Sequence, residues 1–554
     1  MKRIKQLFVF VSLMALLFPV NVQAQWLYKG EYSEGLAYVV DADGKFGFID
    51  ESGKVVIPCK WEGAWLFKED LAPVKDENDK FGFIDKTGNV VIPCKWKSVN
   101  YFNEGMANVA DDNDKWGFID KAGNVVIPCK WKGAIRFSEG LAVVVDDNEK
   151  CGFIDKTGNV VIPCKWKLAD FFSQGLAPVS DDNGKWGVID KTGKTVIPNK
   201  WNDIFPFNDA GLARVEDENE KRGLMDKTGK LVVPLKWRLI GYFNDAGFAV
   251  VEDENEKWGL MDKTGKLVVP CQWKDVDYFN DDLFLVEDEN EKWGIMDKTG
   301  KMVVPCQWMN SKKLSKDLAL VQDGNKKWGL VDEVGKLVVP YQWLDVLTVR
   351  NSYLIFVENE DEKWGGINYF GKYVVPCQWK EVSGLFDRFV IVKDENDKWG
   401  LLNRIGKLIV PCQWKEVKTS YGYDYAKVQD ANEKWGLMDD AGKLVVPCQW
   451  NTINSYNDSL FLVEDENEKW GLMDKAGKMV APCQWKEVRT SYGDDYAKVQ
   501  DANEKWGLLD EAGKLVVPCQ WNDINSFSDG LFLVEDENEK WAQGGLSVDG
   551  PTAA

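Results

Sequence analysis

Three short runs of alternating hydrophobic and polar residues recur along the chain, each bounded by glycine, proline, asparagine or aspartate. In the third copy of this pattern the runs are 106–110, 115–120 and 124–128. Alternation over five or six residues that are rich in valine, isoleucine and aromatic side chains is typical of β-strands. The polar stretches between the runs, 111–114 and 120–123, predict two tight hairpin turns. The pattern therefore predicts a three-stranded antiparallel meander.

The same pattern recurs in about fourteen copies, with a period of 35 or 36 residues. One copy reads KWGFIDKAGNVVIPCKW, from Lys115 to Trp131. The tryptophan that precedes glycine is replaced in four copies, by Phe46, Phe81, Cys151 and Arg222. One meander of this size cannot bury its own apolar face, so successive copies must stack. We expect an all-β tandem array over residues 25–541.

Two arrangements satisfy stacked meanders: an open β-solenoid or superhelix, and one or two β-propellers. The solenoid is favoured because a propeller blade commonly has four strands, whereas three are evident here. The copies are also evenly spaced, with no linker between them. Residues 415–485 and 486–541 match closely at an offset of 71, which indicates that the array grew by addition of a two-copy block.

The two ends of the chain differ from the repeats. Residues 1–24 have a basic start, an apolar run over 7–20 and a small residue at Ala24, which predicts a secretory signal peptide that is cleaved after Ala24. The apolar run is short for a membrane span, and no transmembrane segment is expected after cleavage. We therefore expect an exported protein that is periplasmic, secreted or attached to the cell surface. Residues 542–554 lack the repeat and are either a disordered end or a truncated copy.

Comparison of the copies assigns structural roles to six positions, which in the third copy are Trp116, Gly117, Asp120, Gly123, Pro128 and Trp131. Both glycines occur in all fourteen copies, as expected where backbones approach closely or φ is positive. The aspartate is replaced by Asn368 and Asn403 in two copies, which fits a turn and argues against acid–base chemistry. Proline leaves one side of its strand unpaired. The tryptophan after it is expected to fill a core between repeats.

Eleven of the 12 cysteines occupy one position, directly after the proline. Asn199, Leu235 and Tyr341 take this position in other copies, so it suits a packing residue better than a metal ligand. There is no Cys-x-x-Cys pair and no histidine, so a zinc site is not expected. Export would permit disulfides, but we expect mostly buried free thiols.

The acidic turns are the strongest ligand candidates in the sequence. Asp76 with Asn78, and Asp253 with Asn255, have the spacing that opens a calcium loop. The rest of such a loop, including its bidentate glutamate, is missing. The alternative is a solvated hairpin tip with asparagine in a left-handed conformation.

Composition narrows the range of functions. The formal net charge is −20, and it becomes −23 without the three basic residues of the signal peptide, which argues against nucleic acid as a partner. Histidine, the commonest general base, is absent. Carboxylates are numerous enough for a glycosidase pair, but every copy carries the same acids. We therefore expect no enzyme and no cofactor.

The leading hypothesis is an exported, non-enzymatic scaffold for protein–protein or other macromolecular interaction, because repeated faces suit multivalent contact. Its partner, a protein or a glycan, is not identified by the sequence. One alternative is binding of cell-wall or other polysaccharide through exposed tryptophan. Another is calcium binding by the acidic turns.

The pattern Trp-Gly-x-x-Asp-x-x-Gly-Lys-x-Val-x-Pro-x-x-Trp at this period resembles the WG repeat family of bacterial proteins. The resemblance covers roughly residues 30–541 and every copy, although Cys151 and Arg222 depart from the pattern. It implies a bacterial β-repeat protein, often exported or surface-associated. It also implies a role in binding, with no shared catalytic residues.

Overall fold

The computed structural model describes residues 26–349, 352–385, 389–419, 425–439, 442–456, 460–489, 496–510, 512–526, 531–537, 540–547 and 550–553. These residues form fifteen four-stranded antiparallel sheets, and none of the sheets closes into a barrel. Within each sheet the strands lie side by side in chain order. The prediction of an all-β tandem array is confirmed, and the succession of open sheets fits a solenoid-like array. In the part of the chain that the structure describes, no helix is long and apolar enough to cross a membrane.

The sheets are numbered 1 to 15 along the chain, and each contains a first, second, third and fourth strand. The first strands are Tyr28–Ser33, Gly63–Ala64, Ser98–Val99, Gly133–Ser138, Leu168–Ala169, Asp203–Ile204, Leu239–Ile240, Asp275–Tyr278, Asn310–Lys313, Asp345–Thr348, Glu381–Leu385, Glu416–Thr419, Thr452–Ser455, Glu487–Arg489 and Asp523–Ser526. The second strands are Leu36–Val40, Leu71–Lys75, Met106–Ala110, Leu141–Val145, Leu176–Ser180, Leu212–Glu216, Phe248–Glu252, Leu283–Glu287, Leu318–Gln322, Ile355–Glu358, Phe389–Lys393, Ala426–Gln429, Leu460–Glu464, Tyr496–Gln500 and Leu531–Glu535.

The third strands begin at the position of the tryptophan that precedes glycine. They are Phe46–Asp50, Phe81–Asp85, Trp116–Asp120, Cys151–Asp155, Trp186–Asp190, Arg222–Asp226, Trp258–Asp262, Trp293–Asp297, Trp328–Asp332, Trp364–Ile367, Trp399–Asn403, Trp435–Met438, Trp470–Asp474, Trp506–Asp510 and Trp541–Ser547. The fourth strands are Val55–Trp61, Val90–Trp96, Val125–Trp131, Val160–Trp166, Thr195–Trp201, Leu231–Trp237, Leu267–Trp273, Met302–Trp308, Leu337–Trp343, Tyr373–Trp379, Leu408–Trp414, Leu444–Trp450, Met479–Trp485, Leu515–Trp521 and Gly550–Ala553.

The prediction of three strands in each copy is wrong, because each sheet has four. The additional strand is the first one, and it lies in the segment that was expected only to cross between copies. In sheet 3 it is the two-residue strand Ser98–Val99, whose residues pair with Ala110 and Val109 of the second strand. A strand of two residues is too short to show the alternation of hydrophobic and polar residues by which strands are recognised in a sequence. The number of strands therefore no longer argues against propeller blades.

Two strands lie in the segment predicted to have no repeat character. Trp541–Ser547 and Gly550–Ala553 pair with each other, and Trp541–Ser547 also pairs with the second strand of sheet 15.

The two predicted turns are confirmed, and aspartate organises both. In sheet 3, Asp111 Oδ1 accepts hydrogen bonds from the backbone N–H groups of Asn113 and Lys115, at 2.9 and 3.0 Å. Asp120 Oδ1 accepts from Ala122 and Asn124 in the same way, at 3.0 and 2.8 Å. This side-chain capping of backbone donors is the reason that aspartate and asparagine can exchange here.

The hydrophobic cores lie between sheets, as the stacking prediction requires. One core combines Phe118, Ile127 and Trp131 of sheet 3 with Phe137 and Ile154 of sheet 4, and each of these side chains is less than 9% exposed. Similar clusters join sheets 4 and 5 and sheets 5 and 6. Every copy thus depends on its neighbour for burial of its apolar face.

The chain divides into two compact units. The larger contains residues up to 346 together with Ile367–Tyr373, and the smaller contains Leu347–Gly366 and the chain from 374 onward. Within the larger unit, Ile367–Tyr373 packs against sheet 1. Phe370 contacts a cluster of Trp26, Ala37, Val39 and Ile49. This turn of sheet 10 therefore covers the face of sheet 1 that no earlier sheet of the described residues covers.

Candidate functional site

The two repeated glycines have different structural roles. Gly117 lies where the third and fourth strands approach closely, and a Cβ there would meet the carbonyl oxygen of Ile127 at 2.4 Å. Gly123 has a φ of 83°, in the left-handed region that favours glycine. A Cβ at Gly123 would also meet Ile92 of the preceding sheet at 3.2 Å. Gly117 thus lies at a close approach of two backbones, and Gly123 lies at a turn with positive φ.

The repeated tryptophans do not form an exposed stripe. Trp131 is 8% exposed and lies in the core between sheets 3 and 4. Trp116 is half-buried and pairs with Trp131 across the third and fourth strands. Pro128, which is exposed, lies in the outermost strand of the sheet, where a missing N–H breaks no pairing. Stacking of sheets covers the ring of Trp131 and leaves that of Trp116 half-buried, so neither ring is fully exposed to a ligand.

The proposed calcium ligands are engaged in their own turns. Asp76 Oδ1 accepts hydrogen bonds from the backbone of Asn78 and Lys80, at 3.0 and 2.9 Å. Asp253 Oδ1 caps Asn255 and Lys257 in the same way, at 2.9 and 3.0 Å. The residue with positive φ is the acid after the asparagine, for example Asp79 at 59°, and not the asparagine. In the described part of the chain, no group of three or more candidate side chains could hold a metal ion.

The twelve cysteines, all of which lie in the described part of the chain, form no disulfide. Cys151 is buried, whereas the eleven that follow proline are half-buried, so the expectation of mostly buried thiols holds only in part. Burial, with the negative charge of Asp41 adding to it, raises the pKa of Cys59 to about 12. Burial also raises the pKa of Cys94, with the charge of Asp76 as the lesser cause, to about 11. These thiols are protonated at neutral pH, which suits packing and not nucleophilic chemistry.

The residues that differ most between copies lie beside the first strands. The fourth or fifth residue after the repeated core tryptophan is large and partly exposed in sheets 2 to 8. We name this set the first-strand strip: Trp65, Tyr101, Arg136, Phe171, Phe205, Tyr242 and Tyr278. Trp65 is 38% exposed and Tyr242 is 71% exposed. These positions hold no constant residue, so the repeat fold does not dictate their identity.

Members of the strip from adjacent sheets touch each other. The Arg136 guanidinium lies 4.3 Å from the centroid of the Phe171 ring. The rings of Phe205 and Tyr242 meet edge to face, with centroids 5.6 Å apart. The Tyr278 hydroxyl donates a hydrogen bond to the Tyr242 carbonyl at 2.6 Å. These contacts join the strip members of sheets 4 and 5 and those of sheets 6, 7 and 8.

One half-buried cation, Arg214, contacts two members of the strip. The Arg214 guanidinium lies 3.5 Å from the Phe205 centroid and 4.6 Å from the Tyr242 centroid. Its Nη1 also donates to the Ile240 carbonyl at 2.5 Å. Burial is the main cause that lowers the pKa of Arg214. The cation orders two aromatic side chains of the strip in place.

The residues of the strip are not among the positions predicted from the sequence, because those predictions rest on residues that recur in every copy and the strip residues vary. A signal was nevertheless present. Between the core tryptophan and the next acidic turn, copies 2 to 8 each carry an additional aromatic or arginine residue at a position where no single residue type is required.

The fold and the strip define a tandem β-repeat protein with stacked four-stranded sheets. The profile of the WG containing repeat matches twelve stretches, and the chain belongs to this family: 46–81, 81–115, 116–150, 152–186, 186–221, 223–258, 258–293, 293–326, 399–435, 435–470, 470–506 and 506–541. The interval 327–398 is not matched. It contains the turn Asn368–Phe370, whose unusual residues cover sheet 1.

Comparison with curated proteins found no match. Among solved structures, the computationally designed Ika8 protein is similar at 11% identity, with a TM-score of 0.31, over 49% of this chain and 99% of that chain. BamB from Moraxella catarrhalis is similar at 13% identity, with a TM-score of 0.24, over 47% of this chain and 87% of that chain. Likeness at this level does not bear on function.

Proposed function

We propose that the protein is an exported scaffold that acts by binding a protein partner along the first-strand strip, and not by catalysis. The observation that carries the proposal is the contrast between the positions that form the core of each repeat and the positions of the strip. The tryptophan that ends each fourth strand, such as Trp131, is constant and lies in the core between sheets, whereas the strip is variable, mostly aromatic and partly exposed.

The composition of the strip favours a protein partner. Tryptophan, tyrosine and arginine are the residue types in which binding hot spots are enriched. Trp65, Arg136 and Tyr242 are each exposed in the free chain and would be covered by a partner. Since adjacent sheets present successive members, several modest contacts can add up along one elongated ligand.

Export is supported by the sequence of residues 1–24 alone, which have the features of a signal peptide. The acidic balance of the chain favours a partner with a basic surface, because opposite charges speed association and suppress other partners.

The test uses cells that make the full chain, with chemical cross-linking and mass spectrometry of what is attached. Three chains are compared: the unaltered chain, a strip variant with Trp65→Ser and Tyr242→Ser, and a control variant, Val334→Ser. Val334 is 62% exposed, lies in a turn of sheet 9 and is outside the strip.

We expect one partner to be captured by the unaltered chain and by the control, and to be lost from the strip variant. Thermal unfolding of the three chains should coincide, because the altered side chains are exposed. Equal capture by all three chains would refute the role of the strip. Detection of the chain only in the cytoplasm would separately refute export.

A further inference from the structure

The fourth strands of the larger unit form a surface that is separate from the first-strand strip. Each is the outermost strand of its sheet, so one of its edges has no neighbouring strand within that sheet. Most of the exposed large hydrophobic side chains of the described residues lie in fourth strands. In sheets 1 to 4 both residues that open the strand are exposed valines, as with Val55 at 39% and Val56 at 36%. We name the fourth strands of sheets 1 to 4 the outer face.

The outer face is the same in all four sheets. Its strands, which begin at Val55, Val90, Val125 and Val160, share the sequence VVIPCKW and one pattern of exposed and buried positions. The second strands of these sheets differ, for example LAPVK in sheet 2 and MANVA in sheet 3. Sheet 5 has Thr195 at the first of the valine positions, so the repeat does not require an exposed valine there. The outer face therefore presents one exposed pattern four times in succession.

The strands of the outer face contain no acidic residue, in a chain whose formal net charge is −20. Their one charged residue is a lysine. The Lys60 ammonium lies 4.9 Å from the centroid of the Trp61 ring, and Lys95, Lys130 and Lys165 lie over their own tryptophans at 4.8–5.0 Å. The aliphatic stem of each lysine thus adds to the apolar surface. Two acidic chains can meet here without placing strand carboxylates against each other.

The size of the outer face matches that of a stable protein contact. A strand of seven residues is about 23 Å long, and four sheets stacked about 10 Å apart extend over about 35 Å, so the face covers roughly 800 Å². A standard interface buries about 800 Å² on each partner.

We propose that the outer face binds the outer face of a second copy of this chain, in a closed two-fold dimer. A partner that covers four identical steps at once must have the same spacing, and a second copy has it. When the two-fold axis runs along the stack, facing strands are antiparallel, so the lysine end of each strand meets the valine end of the other. The prolines, such as Pro58, lack an N–H, so the copies pack through side chains and do not extend each other's sheets.

The test is sedimentation equilibrium of the chain without residues 1–24. We expect an equilibrium between monomer and dimer, with the dimer formed at micromolar concentration. Dimerisation should strengthen as the salt concentration rises, because the contact is apolar and salt screens the repulsion between two acidic copies.

Two matched variants locate the contact. Val90→Lys with Val125→Lys places two charges in the middle of the outer face, where both valines are 47% exposed, and should weaken the dimer by at least about tenfold. Val232→Lys with Val334→Lys is the control, because it makes the same change of charge at sites that are 48% and 62% exposed in sheets 6 and 9. It should dimerise like the unaltered chain.

A second pair on the outer face, Val91→Lys with Val126→Lys, should weaken the dimer in the same way, so the result does not depend on the folding of one variant. Thermal unfolding should coincide for all these chains, because the altered side chains are exposed.

A chain that stays monomeric at about 100 μM would overturn the proposal, because the outer face would then be open to another occupant. A dimer that neither outer-face pair weakens, or that the control weakens equally, would also overturn it. Growth into assemblies larger than a dimer would overturn the closed two-fold pair. The strip variant with Trp65→Ser and Tyr242→Ser should dimerise like the unaltered chain, so failure of this proposal and failure of the protein partner on the strip are separate results.

Discussion

Asn368 provides the most informative single substitution, because it departs from the aspartate of other copies for a reason that the structure reveals. It is 2% exposed, and its Nδ2 donates a hydrogen bond to the Trp26 carbonyl at 2.8 Å. Its Oδ1 caps the turn by accepting from the backbone of Phe370 and Lys372, at 3.1 and 2.9 Å. Aspartate could serve the second role but, when ionised, could not donate to Trp26.

Asn368→Asp would place a carboxylate oxygen against a carbonyl oxygen in a buried site. Loss of the hydrogen bond, together with a buried acceptor left unsatisfied, should cost about 2 kcal/mol. The effect should be local, since the cores between sheets 1 to 9 are untouched. Opening of the covering turn should become roughly thirtyfold more frequent.

Hydrogen–deuterium exchange of the peptide that contains Tyr369 measures this opening, because the Tyr369 amide donates to the Leu27 carbonyl. Asn403→Asp is the matched control. Asn403 caps its turn through Oδ1, to Lys407 N at 2.9 Å, and is half-buried. That substitution restores the residue of twelve other copies and should change exchange little.

The penalty of Asn368→Asp should also depend on pH. Burial would raise the pKa of the new carboxyl above its value of about 3.9 in the unfolded chain, so the folded state would bind more protons. The penalty should therefore be full above the raised pKa and should fade as the pH falls toward about 4. Equal exchange in the two variants at neutral pH would refute the proposed role of the Nδ2 contact.

Four further predictions concern the repeat itself. Gly117→Ala should lower stability by about 1–3 kcal/mol in thermal unfolding, because the added Cβ would clash with Ile127. Gly324→Ala is the control and should be close to neutral, because a Cβ at Gly324 would have no other atom within 4 Å. The pKa values of Cys59 and Cys94 are raised to about 12 and about 11, so both thiols should resist iodoacetamide at pH 8 in the folded chain and react after denaturation. Rapid labelling of the folded chain would contradict this prediction. Asp76→Asn should keep the turn and change stability by less than about 0.5 kcal/mol, whereas Asp76→Ala should cost about 1 kcal/mol. Added calcium should not shift the melting temperature, and a clear upward shift would restore the calcium hypothesis.

The predicted hairpin turns show why so much of the repeat was predictable. Asp111 and Asp120 accept hydrogen bonds from backbone groups within four residues, and Gly123 adopts the positive φ of its own turn. These roles depend on adjacent residues alone, so the sequence is enough to predict them. The third and fourth strands follow for the same reason, since each is bounded by such a turn. Stacking was predictable from the size of the unit, because one meander cannot cover its own apolar face.

The first strands show the limit of this reasoning. Ser98 and Val99 become a strand through pairing with Ala110 and Val109, and their own pattern does not require it. The burial of Trp131 likewise depends on the next sheet, which places Phe137 and Ile154 over it. The sequence does not show which residues lie beside an indole ring in space, so it cannot show which face of the ring is covered.

The sequence by itself determined the repeat, its two turns, the all-β class and the stacking of copies, because these rest on local chemistry repeated fourteen times. Only the tertiary structure decided which residues cover the first sheet. The contact between Asn368 and Trp26 joins residues 342 positions apart, and it selects an asparagine, a tyrosine and a phenylalanine in one turn of sheet 10. The physical reason is that an array of stacked sheets leaves an uncovered apolar face at its first copy. The residues that cover that face are set by contacts that no local pattern records.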